Sequence, residues 1–335
     1  MEYRYLGNSG FKVPAISLGS WLTYGSQVEY ETTYDCITTA FENGINYFDT
    51  SEVYANGQTE IDIGSVIKQN GWKRSEFSVG TKLFWGGKGP NEKGLSRKHI
   101  IEGLNFSLER LQLDYVDLVF AHRPDPDTPL EETVRAFNHV IDQGKALYWG
   151  TSEWSVAQII EAHEIAKRLN LVGPLMEQPQ YNMFHRDRVE KEYIPLYKNF
   201  KLGATIWSPL GSGILTGKYN NGVPDDSRLA LKDNLVTMRM CDWLSTDEGK
   251  LKLGKVKELK SIADELKCTV AQLAIAWCLK NPNVSTVITG ASKPEQILEN
   301  IKSLQVISKL TDDVLERIEL VLNNKPSLDL NFRNT

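Results

Sequence analysis

The sequence predicts a (β/α)8 barrel of the TIM type, opened by an N-terminal β-hairpin and carrying one long loop after its seventh strand. Three observations lead there. Short apolar runs rich in β-branched residues alternate with longer amphipathic segments, and there are eight such runs after the hairpin. Near-continuous apolar strands followed by amphipathic helices mark a parallel sheet covered on its outer face. Each run also ends in a polar group or an indole, and barrels of this type gather their chemistry at the C-terminal ends of strands.

Taken in order, residues 3–6 and 12–14 read as a hairpin around a turn at Asn8-Ser9-Gly10. Strands are then predicted at 15–20, 45–50, 77–82, 116–122, 146–152, 174–180, 203–209 and 286–292. Helical periodicity fills 31–43, 58–69, 96–111, 129–143, 155–169 and 187–199, and 269–281 precedes the last strand. Residues 209–254 are expected to form one long irregular insertion, which we read as a lid over the functional face. Residues 294–324 add helix after the eighth strand. Two doubly wound domains would want a Gly/Ser/Pro-rich linker near the middle, and none is present. Residues 1–335 are therefore expected to be a single domain.

Composition narrows the function classes. Of 335 residues, 41% are hydrophobic and 24% charged, ordinary for a soluble globular protein. A net charge of −5 without a dense Lys/Arg run argues against nucleic acid or an anionic membrane surface as partner. Cys36, Cys241, Cys268 and Cys278 form no CxxC pair and show no zinc-ligand spacing, as expected of reduced thiols in a cytoplasmic protein. The N-terminus has no signal-like apolar run, and no stretch approaches the roughly 18 apolar residues of a membrane span. No membrane insertion is expected. His99, His122, His139, His163 and His185 show no HxH pairing, so no metal is expected and a metal-dependent barrel hydrolase is the weakest alternative.

The predicted strand ends supply Ser20-Trp21, Asp49, Lys82, His122, Ser152, Gln178, Trp207-Ser208 and Gly290 to Ser292. Within that set Asp49, Tyr54, Lys82 and His122 compose a proton-donating apparatus. A tyrosine hydroxyl has an ordinary pKa of about 10, too high for efficient donation at neutral pH. An ammonium beside it favours the phenolate and lowers that value, and Asp49 would keep Lys82 charged and oriented. Neutral His122 would align a carbonyl oxygen. Taken singly, each residue reads as well as a turn, surface or loop residue. A proton donor without nucleophile or metal points to carbonyl reduction, with hydride from a bound cofactor.

The usual dinucleotide fingerprint is absent, because Thr216 stands where a third glycine would follow Gly211-Ser212-Gly213. Trp207 offers a face for a nicotinamide, and Lys218 and Arg228 a clamp for phosphate near the Ser292 helix start. Trp21, Tyr54, Phe84, Trp85 and Trp154 predict an aromatic mouth for a small carbonyl substrate.

Several stretches carry a resemblance: TKLFWGGKGPNEKGLSRKHIIEGLNFSLERLQLDYVDLVFAHRPDPDTPLEETVRA, YWGTSEWS, SPLGSGILTGKY and QLAIAWCLKN. Almost end to end the chain is similar to the aldo-keto reductases, and within them to the potassium-channel β subunits and their fungal and plant relatives. The resemblance implies a (β/α)8 barrel using NADPH/NADP+, with Asp49, Tyr54, Lys82 and His122 as catalytic tetrad and Tyr54 the proton donor. It implies cofactor contacts from Ser20, Trp21, Gln27, Asp49, Ser152, Gln178, Trp207, Ser208, Pro209, Leu210, Gly211, Ser212, Gly213 and Ile214. Lys218, Arg228, Gly290, Ala291, Ser292, Gln296, Glu299 and Asn300 complete the set. Lys218, Arg228, Ser292 and Gln296 would surround the adenosine 2′-phosphate.

A homotetramer and a channel partner are also implied. Against the channel role, His122 stands where animal channel subunits carry Asn, and their long N-terminal extension is lacking. Glu153 stands where they carry Arg, so that cofactor contact is not carried over, and Asp226 stands where they are aromatic, so the adenine-side packing is not carried over either. Two functions therefore stand side by side: a working NADPH-dependent reductase of aldehydes and ketones, and an NADPH-binding, redox-sensing channel subunit with little turnover.

Overall fold

The computed structural model describes residues 1–225, 227–230, 235–328 and 333. Strands β1 (Tyr3–Tyr5) and β2 (Lys12–Pro14) pair antiparallel as the expected hairpin. The chain then alternates strand and helix: β3 (Ile16–Gly19), α1 (Tyr30–Glu42), β4 (Tyr47–Asp49), α2 (Gln58–Asn70), β5 (Ser78–Leu83), α3 (Arg97–Leu111), β6 (Val116–Ala121), α4 (Leu130–Asp142), β7 (Ala146–Thr151) and α5 (Val156–Arg168). It continues with β8 (Met176–Glu177), α6 (Ile194–Phe200), β9 (Gly203–Ile206), α7 (Leu235–Leu244), α8 (Asp247–Glu265), α9 (Val270–Lys280), β10 (Val284–Thr289), α10 (Pro294–Ile301) and α11 (Asp312–Leu322). Strands β3 to β10 close into a parallel barrel, with β10 joining β3 on one side and β9 on the other.

By internal contacts the chain divides into two units. The first comprises Met1–Pro179, Pro195–Trp207 and Asn283–Ile301 and contains the whole barrel. The second comprises Gln180–Ile194, Ser208–Pro282 and Lys302–Thr335 and carries α7, α8, α9 and α11.

The hairpin's apolar residues belong to the barrel core. Leu6 and Val13 are fully buried in one cluster with Tyr47, Leu118, Phe120 and Met176. Gly7 makes this possible: its φ is +54°, and a Cβ there would meet Leu175 O at 2.6 Å and Gly203 N at 2.8 Å. Helix starts are fixed locally. Ser96 caps α3 by accepting the His99 N–H, and capping boxes Ser155–Gln158 and Thr269–Gln272 open α5 and α9.

The structure departs from the sequence reading in two places. The run 174–180 contributes only two residues to the barrel, because its C-terminal part leaves the ladder. The stretch 209–254, expected to be irregular, contains α7 and the start of α8, the latter capped by Thr246 with Asp247 and Glu248 in its first turn. Asp226 lies outside the described residues, as does the Arg228 side chain. Among the described residues no helix is long and apolar enough to cross a membrane.

Candidate active site

Every polar strand end picked out by sequence lies at the end of a barrel strand or next to it. Asp49 is the last residue of β4, Lys82 the penultimate residue of β5, and His122 directly follows β6. Tyr54 begins a tight turn whose next residues, Ala55 and Asn56, have φ of 46° and 54°. Its N–H donates to Ser51 O at 3.1 Å, which curls the chain back over the strand end.

These four side chains meet. Lys82 is fully buried, and its three protons have three acceptors: Asp49 Oδ1 at 2.5 Å, Thr50 O at 2.7 Å and the Tyr54 hydroxyl at 3.3 Å. The other Asp49 oxygen accepts from Gln178 Nε2 at 3.0 Å and from the Tyr47 hydroxyl at 3.2 Å. The carboxylate is thus held from both sides in a dry site, where an unsatisfied charge would cost several kcal/mol. His122 lies 5.9 Å from Tyr54, ring centre to ring centre, in an edge-to-face contact. Its Nδ1 is 3.1 Å from Ser51 Oγ. Among the described residues nothing hydrogen-bonds its Nε2, so that nitrogen is the one open to a ligand.

The electrostatics assign protonation states. Burial alone would discharge Lys82, but Asp49 and Tyr54 outweigh it and its pKa is raised. Burial, Lys82 and Arg123 together hold His122 well below the ordinary imidazole value, so it is neutral at physiological pH. For Tyr54 the net direction is upward, opposite to what an adjacent ammonium alone predicts. Burial is the larger effect and raises the phenol pKa; Lys82 offsets it only in part, and Asp49 works against Lys82. The phenol therefore stays protonated and able to donate.

The expected cofactor residues divide between the two units. In the first, Ser20 Oγ donates to Asp49 O at 2.8 Å, and Ser152 Oγ donates to Gln178 O at 2.9 Å. Trp207 packs edge-on to the exposed Trp21, 6.3 Å between ring centres at 80°. Gln27 sits in the turn after β3, its N–H donating to Thr23 O at 3.0 Å. Gly290 and Ala291 follow β10, and the Ser292 N–H donates to Gln296 Oε1 at 2.8 Å. Gln296, Glu299 and Asn300 lie on α10.

In the second unit, Ser208 to Ile214 and Lys218 lie on one glycine-rich turn. Ser208, Gly211, Ser212 and Gly213 all have positive φ there. Lys218 is exposed and folds back over Gly213, where an added Cβ would meet its Cε at 3.0 Å and its Nζ at 3.3 Å.

Of the expected mouth aromatics, Trp21, Tyr54, Phe84 and Trp85 keep exposed surface, but Trp154 is only 1% exposed and offers none. It lies two residues before α5, and its backbone N–H donates to Glu177 Oε1 at 3.3 Å, with the indole inside the packing.

Sequence reasoning passed over Tyr47, Ser51 and Arg123. Tyr47 was legible: it precedes Asp49 by two residues on a strand and so shares its face. Arg123 follows His122 directly, donates to Ser152 Oγ at 3.2 Å and lies over the Trp85 ring at 5.4 Å. Ser51 carried no signal.

Comparison with known proteins places the whole chain. A family model described as "Aldo/keto reductase family" matches residues 15–323. An Arabidopsis thaliana protein named "Probable voltage-gated potassium channel subunit beta" is 54% identical over 99% of this chain and 100% of its own. An Oryza sativa protein of the same name is 53% identical with the same coverage. A Schizosaccharomyces pombe protein, also named as a voltage-gated potassium channel subunit beta, is 53% identical over 99% of this chain and 96% of its own.

Proposed function

The chain belongs to the aldo/keto reductase family, and on that premise we propose that it reduces aldehydes and ketones to alcohols with NADPH, Tyr54 giving the proton. The observation that carries this reading is the Lys82 ammonium, which bridges the Asp49 carboxylate and the Tyr54 hydroxyl at the barrel mouth.

The chain's own features fit a phosphate-bearing dinucleotide. Trp207 and Trp21 present indoles of the right shape to meet a flat ring, and Ser152 and Gln178 place polar groups beside the same strand ends. Lys218 puts an exposed cation on the glycine-rich turn, a charge suited to a phosphate. Ser292 precedes the start of α10, where backbone N–H groups favour an anion. When bound, NADPH supplies the hydride.

The residues then divide the remaining work. His122, in the tautomer with its proton on Nε2 and Nδ1 accepting from Ser51 Oγ, donates to the substrate oxygen and fixes its direction. Tyr54 delivers its proton to that oxygen as negative charge develops there. Lys82 stabilises the phenolate left behind, and Asp49 holds Lys82 charged throughout. Trp85 and Phe84 shape the apolar wall against which the rest of a small carbonyl compound packs.

The test is NADPH oxidation with a panel of aldehydes and ketones, which the protein should catalyse and Tyr54→Phe should abolish. Undiminished turnover in that variant would refute the assignment. The names of the plant and fungal relatives favour a second reading, a subunit of a potassium channel; in that reading the chain binds NADPH, and we place it in the cytoplasm as a homotetramer. Tight NADPH binding, negligible turnover across the panel and co-purification with a channel would support that reading instead.

A further inference from the structure

Glu153 has a backbone conformation that the proton-donating cluster does not require. It follows Ser152 beyond the end of β7 with φ of +59°, a left-handed geometry that non-glycine residues adopt at a cost. That turn aims its carboxylate at Trp207, and Oε1 accepts the indole N–H at 3.0 Å. With the edge-on contact from Trp21, two independent contacts set the plane of the Trp207 ring.

The bond does more than hold the ring. A hydrogen bond to an ionised acceptor is about twice as strong as a neutral one, and it draws the indole proton toward the carboxylate. Electron density moves into the ring, and its face becomes more attractive to a cation. The oxidised nicotinamide ring carries a positive charge, and the reduced ring carries none. We propose that Glu153 is a positioning residue that, through the Trp207 indole, makes the site favour NADP+ over NADPH and so sets the redox preference of the bound couple. Preferential binding of the oxidised form makes the bound reduced form the stronger hydride donor. This inference rests on the nicotinamide reading of the site.

Calorimetric titration with NADP+ and with NADPH separately tests it without any turnover. Glu153→Gln keeps an acceptor for the indole N–H but removes the charge. It should lower the preference for NADP+ over NADPH by about threefold, the scale of a partly exposed cation–π contact. In a Trp207→Phe background, which keeps an aromatic face but has no N–H, the same substitution should leave the preference unchanged.

An unaltered preference in Glu153→Gln overturns the proposal. So does a full effect that persists in the Trp207→Phe background, since the charge would then act on the cofactor directly. Failure of the unsubstituted protein to bind either form would remove the cofactor reading itself, a different result from binding both equally well in all variants.

Discussion

Among the described residues the molecule buries a lysine and an arginine, Lys82 in the barrel unit and Arg186 in the helical unit, and the contrast between them separates a functional charge from a structural one. Arg186 is 3% exposed and uses its whole fork. It donates to Glu190 at 2.9 and 2.7 Å, to Glu319 at 2.7 Å twice, and to Asn324 at 3.0 Å. Its planar face lies 5.0 Å from the Trp277 ring centre. Burial works against its charge, but Glu319 and Glu190 outweigh burial and raise its pKa.

Lys82 is as deeply buried and also has every proton placed, so neither burial nor satisfaction distinguishes the two. What differs is the chemistry of the partners. The partners of Arg186 are two carboxylates and an amide, none of which holds an acidic proton to give. One partner of Lys82 is a phenol with a proton of its own to give.

The largest effects expected follow from that difference. Tyr54→Phe removes only an oxygen beside Lys82, and it should lower aldehyde-dependent NADPH oxidation by about a thousandfold, the scale of general acid catalysis. The thermal midpoint should fall only modestly, because Asp49 and Thr50 O still hold the ammonium. Arg186→Met should do the reverse. Two carboxylates left without their cation should cost about 3 kcal/mol in urea unfolding, while turnover per folded molecule persists. A large loss of turnover in folded Arg186→Met would show that this charge also serves the reaction.

A half-buried titratable group whose buried ring nitrogen has no partner among the described residues extends the contrast. His163 stacks on Phe200 at 4.2 Å and 14°, and its Nε2 has no hydrogen-bond partner among the described residues. Burial pushes its pKa down from 6.5 to about 4. The unfolded chain therefore binds a proton that the folded chain refuses between those values, so stability falls as pH drops from 6.5 toward 4. The loss, discounted for partial exposure, is about 2 kcal/mol. Unfolding free energies at pH 7 and pH 4.5 should differ by that much less in His163→Leu than in the unsubstituted protein.

How much of this was legible in the sequence depends on distance along the chain. The eight barrel strands were legible because each is a short apolar run, and the meeting of Asp49, Lys82 and His122 because each ends or directly follows such a run. Helix α8 was hidden for a local reason. Lys250-Leu251-Lys252-Leu253 alternates with the period of a strand, and Leu251 is 61% exposed. Apart from Gly249, the buried helical face starts only at Val256 and continues through Leu259, Ile262 and Ala263. The rise in the Tyr54 pKa was hidden because burial cannot be read from the order of residues. The Glu153–Trp207 bond joins residues more than fifty positions apart, and no local pattern announces it.

The smallest effect expected marks the other limit of the comparison. Lys98 and Glu102 form an ion pair as short as that of Lys82 and Asp49, 2.5 Å, on successive turns of α3. Their side chains are 55% and 48% exposed, so water screens the attraction and both side chains lose freedom by pairing. Lys98→Ala should therefore change unfolding free energy by less than about 0.5 kcal/mol and leave turnover untouched. Should it cost as much as Arg186→Met, distance rather than burial would govern the strength of ion pairs here. Burial would then no longer set Lys82 and Arg186 apart from the surface charges.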